Sequence, residues 1–202
     1  MTDRFRTNVH FILILILFNT LLFACSNNVS DYRKVPMVYD INLVDTLSVF
    51  RAENLHFEPM LGFVLLPEEL LDELMISEDD TRSIIERPLA VYMDSLSQMI
   101  IISEIDSNTL STNEIFYNSF DHYHEIYKDT LITYLRFQYE NYLVNQFVVP
   151  IQDYIMVKIV VGHLSKNEIT NVYMIDFLIL RDDFETKMLG VESSLASLKN
   201  NI

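Results

Sequence analysis

Few side chains in this sequence could carry chemistry, and their spacing narrows what that chemistry could be. Cys25 is the only cysteine. The rest of the chain therefore offers no disulfide, no thiolate zinc site and no thiol nucleophile. Four histidines follow it: His56, His122, His124 and His163. His122 and His124 are two residues apart, which on a helix turns them to nearly opposite sides and prevents a shared metal ion. His163 with Glu140 or Asp153 is the one combination that could serve a hydrolase, if a cleft brings them together. The three glycines, Gly62, Gly162 and Gly190, are isolated. No phosphate-cradling loop, dinucleotide fingerprint or nucleophile elbow can be built from them. The acids from Glu68 to Asp80 lack the alternating oxygen ligands and central glycine of a calcium loop, and they fit a solvated face instead. No cofactor is implied.

One polar constellation can be placed by register. If Gly162 faces Val172 across a loop, antiparallel pairing puts Lys158 opposite Asp176. If Val149 faces Tyr154 across the preceding turn, Asn145 falls opposite Lys158. Asn145, Lys158 and Asp176 would then form a row across one sheet face. Such a row is either an exposed cross-strand ion pair, contributing about 0.2–1 kcal/mol, or the lining of a cleft.

The elements that position these groups follow from hydrophobic period and turn chemistry. Val38–Leu43 alternates like a strand, and Met60–Leu66 reads as a buried strand stopped by Pro67. Leu47–Phe57 has no clear period. Leu70, Leu71, Leu74 and Met75 sit at helical spacing after Pro67, as in a short amphipathic helix. Leu89–Tyr92 and Gln98–Ile105 form two strands about a turn, the second rich in β-branched isoleucine. Thr112 or Asn113 can cap a long helix reaching about Tyr134, with Phe116, Phe120, Tyr123, Tyr127, Leu131 and Tyr134 on one face. A meander of three strands follows: Tyr139–Val149, Tyr154–Gly162 and Val172–Leu180. Asp182 or Asp183 then caps a last helix, with Asp182 and Glu185 spaced as a capping box. Its packing stripe is Phe184, Met188, Val191, Leu195, Leu198 and Ile202. The fold class is α/β of the α+β type, a mainly antiparallel sheet flanked by a central and a C-terminal amphipathic helix.

The N-terminus is of a different kind. Arg4 and Arg6 precede an apolar run from Val9 to Phe23, too short for a comfortable membrane span but suited to the core of an export signal. The run ends in Leu22-Phe23-Ala24-Cys25, which resembles the lipobox of bacterial lipoproteins. The resemblance implies cleavage before Cys25, lipidation of its thiol and attachment to the membrane through that lipid. Residues 1–24 would be the signal peptide, 25–36 a tether, and 37–202 a single globular α/β domain. Ser26 after the cysteine, in place of the aspartate that retains some lipoproteins at the inner membrane, implies the outer membrane, facing the periplasm.

The whole chain has 29 acidic and 14 basic residues, a formal charge of -15. Loss of Asp3, Arg4 and Arg6 with the signal would carry the charge to -16. Nucleic acid is not an expected partner for such a body. The order of elements, with Gly62-Phe63-Val64-Leu65-Leu66-Pro67, the helix after Ser111 and the closing Glu192-Ser193-Ser194-Leu195, resembles the PsbP-like α/β sandwich. That resemblance implies a non-catalytic module that binds or helps assemble a protein partner. A carrier of a small apolar ligand, with a cavity between sheet and central helix, is the alternative, and an unrecognised hydrolase a third.

Overall fold

The computed structural model describes residues 32–69, 85–107, 109–128, 130 and 133–198. The lipobox and Cys25, the expected helix after Pro67, Leu131 and Ile202 lie outside them.

The described chain forms ten strands and two α-helices. The strands are β1 (Arg33–Lys34), β2 (Phe50–Ala52), β3 (Leu55–Phe57), β4 (Val64–Leu65), β5 (Ile85–Met93), β6 (Met99–Asp106), β7 (Thr133–Tyr139), β8 (Tyr142–Ile151), β9 (Tyr154–Ser165) and β10 (Glu168–Leu180). The helices are α1 (Thr112–Ile126), between β6 and β7, and α2 (Phe184–Ala196), after β10. Eight strands make one sheet in the order β1-β7-β8-β9-β10-β6-β5-β4, while β2 and β3 pair separately as a hairpin. Every pairing in the large sheet is antiparallel except β1 with β7. This is the mixed α+β architecture with a mainly antiparallel sheet and two helices that the sequence pattern requires.

Period-2 alternation gives the sheet two buried faces. One face carries Tyr142, Val144, Val157, Ile159, Val161, Ile175 and Phe177, and packs with Val191 and Leu195 of α2, Leu198 just after it, Leu55 and Phe57 of the hairpin, and Phe63. The other face receives α1 through Phe116, Phe120 and Tyr123. Gly162 belongs to this second face. A Cβ there would stand 2.9 Å from Phe116 Cδ2, so the missing side chain lets α1 come close.

Several local expectations need correction. Val38–Leu43 is irregular chain ending in a 3-10 turn at Ile41–Leu43, where the Asp40 carboxylate accepts from Asn42 N. In Met60–Leu66 only Val64–Leu65 is strand, and both side chains are exposed, while Met60 and Phe63 are buried. The cap of α1 is Ser111. Its hydroxyl accepts from Glu114 N, and the Glu114 carboxylate accepts from Ser111 N at 2.8 Å. The helix stops at Ile126, and Tyr134 reaches Phe120 from β7 instead, with ring centroids 5.0 Å apart. The meander has four strands, because Tyr139–Val149 conceals a hairpin turn at Glu140-Asn141. Asp183 precedes α2 but makes no side-chain cap. The segment expected to be tether joins the sheet at Arg33, and Tyr32 is already buried.

Candidate functional site

The polar row is partly as expected. Asp176 pairs with Lys158 across β10 and β9, on the register set by Gly162 opposite Val172. Asn145 instead pairs with Val160, one diagonal step from Lys158. The reason is that β8 runs two residues further than expected, through Pro150 to Ile151, before turning at Gln152-Asp153. Pro150 is tolerated because β7 pairs with β8 only as far as Val148, so no neighbour on that side asks for its missing N–H. A two-residue slip keeps side chains on the same face, so Asn145, Lys158 and Asp176 still share one.

That face is not a surface. Lys158 is 4 % exposed and Asp176 is 6 % exposed, under the last turns of α1. Lys158 Nζ donates to Asp176 Oδ2 at 2.8 Å and lies 2.7 Å from Met174 Sδ. It also sits 4.7 Å from the centroid of the Tyr123 ring, a cation–π contact inside the fold. Tyr123 closes the cluster by donating its hydroxyl to Glu86 Oε1 at 2.5 Å. At the other end of the row, Asn145 accepts from the Tyr32 hydroxyl at 2.7 Å and donates to the Phe116 carbonyl at 3.3 Å.

The electrostatics follow from burial. Desolvation pulls the Lys158 ammonium down, but Asp176 and Glu86 outweigh it, and its pKa is raised overall. Desolvation pushes the Asp176 carboxyl up, against the opposing pull of Lys158. Burial first, and Glu86 second, hold the Tyr123 phenol far above its ordinary value. A lysine kept protonated this way is no amine nucleophile. Its charge is spent on Asp176, on sulfur and on a ring. The row ties α1 to the sheet.

A second polar cluster went unnoticed in the sequence. Glu58 is buried, accepts from the Tyr39 hydroxyl at 2.6 Å, and lies 3.1 Å from His56 Nε2. The signal was present, since residues two apart on an extended chain share a face. It was hidden because Leu47–Phe57 showed no clear period. Glu86, Met174 and the hydroxyl of Tyr123 were missed for another reason: their contacts join residues 37 to 51 positions apart.

Of the remaining candidates, Glu140 lies in the β7–β8 turn, at the end of the sheet where Tyr142 pairs with His163. His163 Nδ1 is 2.8 Å from Thr170 Oγ1, and its ring packs on Tyr142. Asp153 stands beyond the opposite end of β9, about 30 Å away along the strand. His122 packs on Tyr123 and His124 on Phe120 and Tyr134, on a helix as expected. Between α1 and the sheet, where a carrier would need a cavity, lie the rings of Phe116, Phe120, Tyr123 and Phe147. Among the described residues, no three His, Cys, Asp or Glu side chains gather as metal ligands, and no helix is long and apolar enough to cross a membrane. No protein-family model matches this chain, and no curated protein is detectably similar to it.

Proposed function

We propose that this chain is a non-catalytic lipoprotein of the bacterial envelope. It is held by acyl chains on Cys25, at the outer membrane facing the periplasm, and binds a protein partner through a PsbP-like domain. The observation that carries this reading is Leu22-Phe23-Ala24-Cys25, with the only thiol of the chain closing an export-type apolar run. Two further features support it. Asn145, Lys158 and Asp176 of the expected row are buried in contacts within the fold. In addition, the chain exposes apolar side chains where a partner could add to the sheet. Among the described residues β4 is one of the two edge strands of the large sheet, and Val64 and Leu65 on it are 67 % and 52 % exposed. Leu61 and Leu189 are exposed nearby, where Gly190 packs on Met60. An edge strand with neighbouring exposed apolar side chains suits strand addition by a protein.

Radiolabelled palmitate fed to cells is expected to enter the wild-type protein and not Cys25→Ser. Label in both, or in neither, overturns the anchoring. A photo-crosslinking residue at Leu65 is expected to give one discrete protein adduct in cells, and the same residue at the exposed Asn118 none. Equal adducts at both positions, or none at Leu65, overturn the partner site.

A further inference from the structure

We infer that the β1–β7 edge of the sheet is a lipid-docking edge that lays the domain against anionic phospholipid headgroups. The inference rests on the anchoring proposed for Cys25. Its first support is local charge. The nine residues of β1 and β7 include Arg33, Lys34 and Arg136 and no carboxylate, in a chain where acids outnumber bases 29 to 14. The nearest acids in the sequence are Asp31, two residues before Arg33, and Glu140, in the turn after β7. A net acidic body is repelled by an anionic surface at long range. Within about 10 Å, however, the charges that face the surface decide the interaction.

The second support is the apolar company these cations keep. Tyr134 and Leu135 are 50 % and 54 % exposed on β7, and Val35 is exposed just after β1. Residues paired across strands share a face, so Lys34 lies with Arg136 and Tyr134 on one face of the edge, and Arg33 with Leu135 on the other. Presented edge-on, the strands offer Arg33, Lys34 and Arg136, the last exposed although its guanidinium stacks 3.6 Å over the Phe120 ring, with a tyrosine and two aliphatic side chains between them. That is the composition of a headgroup-level contact.

The third support is the length of chain. Six residues separate Cys25 from Tyr32, and fully extended they bridge about 25 Å at most. An acylated Cys25 therefore leaves the β1–β7 edge little freedom to leave the surface. The edge at β4 is seven strand spacings away, about 34 Å.

The chain contains no tryptophan, so a single introduced indole reports its own surroundings. Full-length protein carrying Leu135→Trp is reconstituted into vesicles of phosphatidylcholine with phosphatidylglycerol, using brominated phosphatidylcholine as quencher. Leu65→Trp serves as the probe at the far edge. The Leu135→Trp emission is expected to be strongly quenched, and the Leu65→Trp emission unchanged. Replacing Arg33, Lys34 and Arg136 together by Gln is expected to lower the docked population roughly a hundredfold, about fivefold per cation, as is omitting phosphatidylglycerol. Unquenched emission from Leu135→Trp, equal quenching at both probes, or quenching that survives the triple replacement each overturn the docking. Mass spectrometry of the N-terminal peptide from the same sample reads acylation of Cys25 separately, so a failure of anchoring is distinguished from a failure of docking.

Discussion

Replacing Lys158 by Met removes one charge from a buried pair and leaves the other behind. Asp176 keeps its place on β10, loses the 2.8 Å contact that neutralised it, and has only 6 % of its surface in solvent. The carboxylate must stay charged in an apolar site or take a proton. Taking a proton at pH 7 costs about 1.4 kcal/mol for each unit between 7 and its unfolded value near 3.9, or about 4 kcal/mol. That agrees with the roughly 3–5 kcal/mol lost when one partner of a buried ion pair is removed. For a domain of this size it is a fall in Tm of about 10 °C or more. The penalty should shrink with acid. The stranded carboxyl has a raised pKa in the folded chain, so the fold binds its proton first and gains relative stability as pH falls from 7 toward 4. At pH 5 about 1.5 kcal/mol of the penalty remains. The double variant Lys158→Met with Asp176→Leu should recover most of the loss, since an apolar pair of similar volume needs no compensation. Urea titrations at pH 7 and pH 5 on the three proteins give these differences directly. A loss below about 1 kcal/mol for Lys158→Met, or one independent of pH, would mean that the pair is screened like a surface contact and the burial argument is wrong.

Three further predictions concern the same framework. Four buried tyrosines, Tyr92, Tyr123, Tyr142 and Tyr173, have phenols pushed up by burial, Tyr92 and Tyr173 to about 12. The unfolded chain ionises them near pH 10 and the fold resists, so stability should fall between pH 10 and 12 by at most about 5 kcal/mol per pH unit. Tyrosinate absorbance should lag in the native protein, and a coincident rise in folded and unfolded chains would refute this. Gly162→Ala should cost about 1–3 kcal/mol, because the new Cβ meets the ring of Phe116; loss of that cost in a Phe116→Leu background would localise the clash. Ser111→Ala should cost about 1 kcal/mol by removing the cap of α1, visible as faster amide exchange in Glu114 and Ile115 and not in β9.

How much of this was legible in the sequence depended on the range of the cause. The Lys158–Asp176 pairing could be placed because one hairpin sets it, although a bulge between Ile169 and Asn171 is what brings Gly162 opposite Val172. The helical period around Phe116 and Phe120 found a true contact to Tyr134 but assigned it to the wrong element. A strand returning beside a helix can satisfy the same three-and-four spacing. The turns were the hardest to see. Glu140, Gln152, Lys166 and Asn167 all take positive φ, and only Asn167 belongs to a type that signals such a turn. Burial of the polar row was not legible either. Whether a sheet face is wet depends on which helix crosses it, and nothing local to β9 says that α1 does.

The attachment of β1 also has a mechanical consequence. Two residues pair Arg33 and Lys34 with β7, and behind them the Tyr32 hydroxyl holds Asn145. A pull on the N-terminus loads these few bonds before any of the long strand pairs from β7 to β10. Parting them would free the chain from Tyr32 to Pro36, about 17 Å of slack, with the strand pairs from β7 to β10 left in place. The two-residue β1 is thus the shortest pairing between the N-terminal side of the chain and the large sheet.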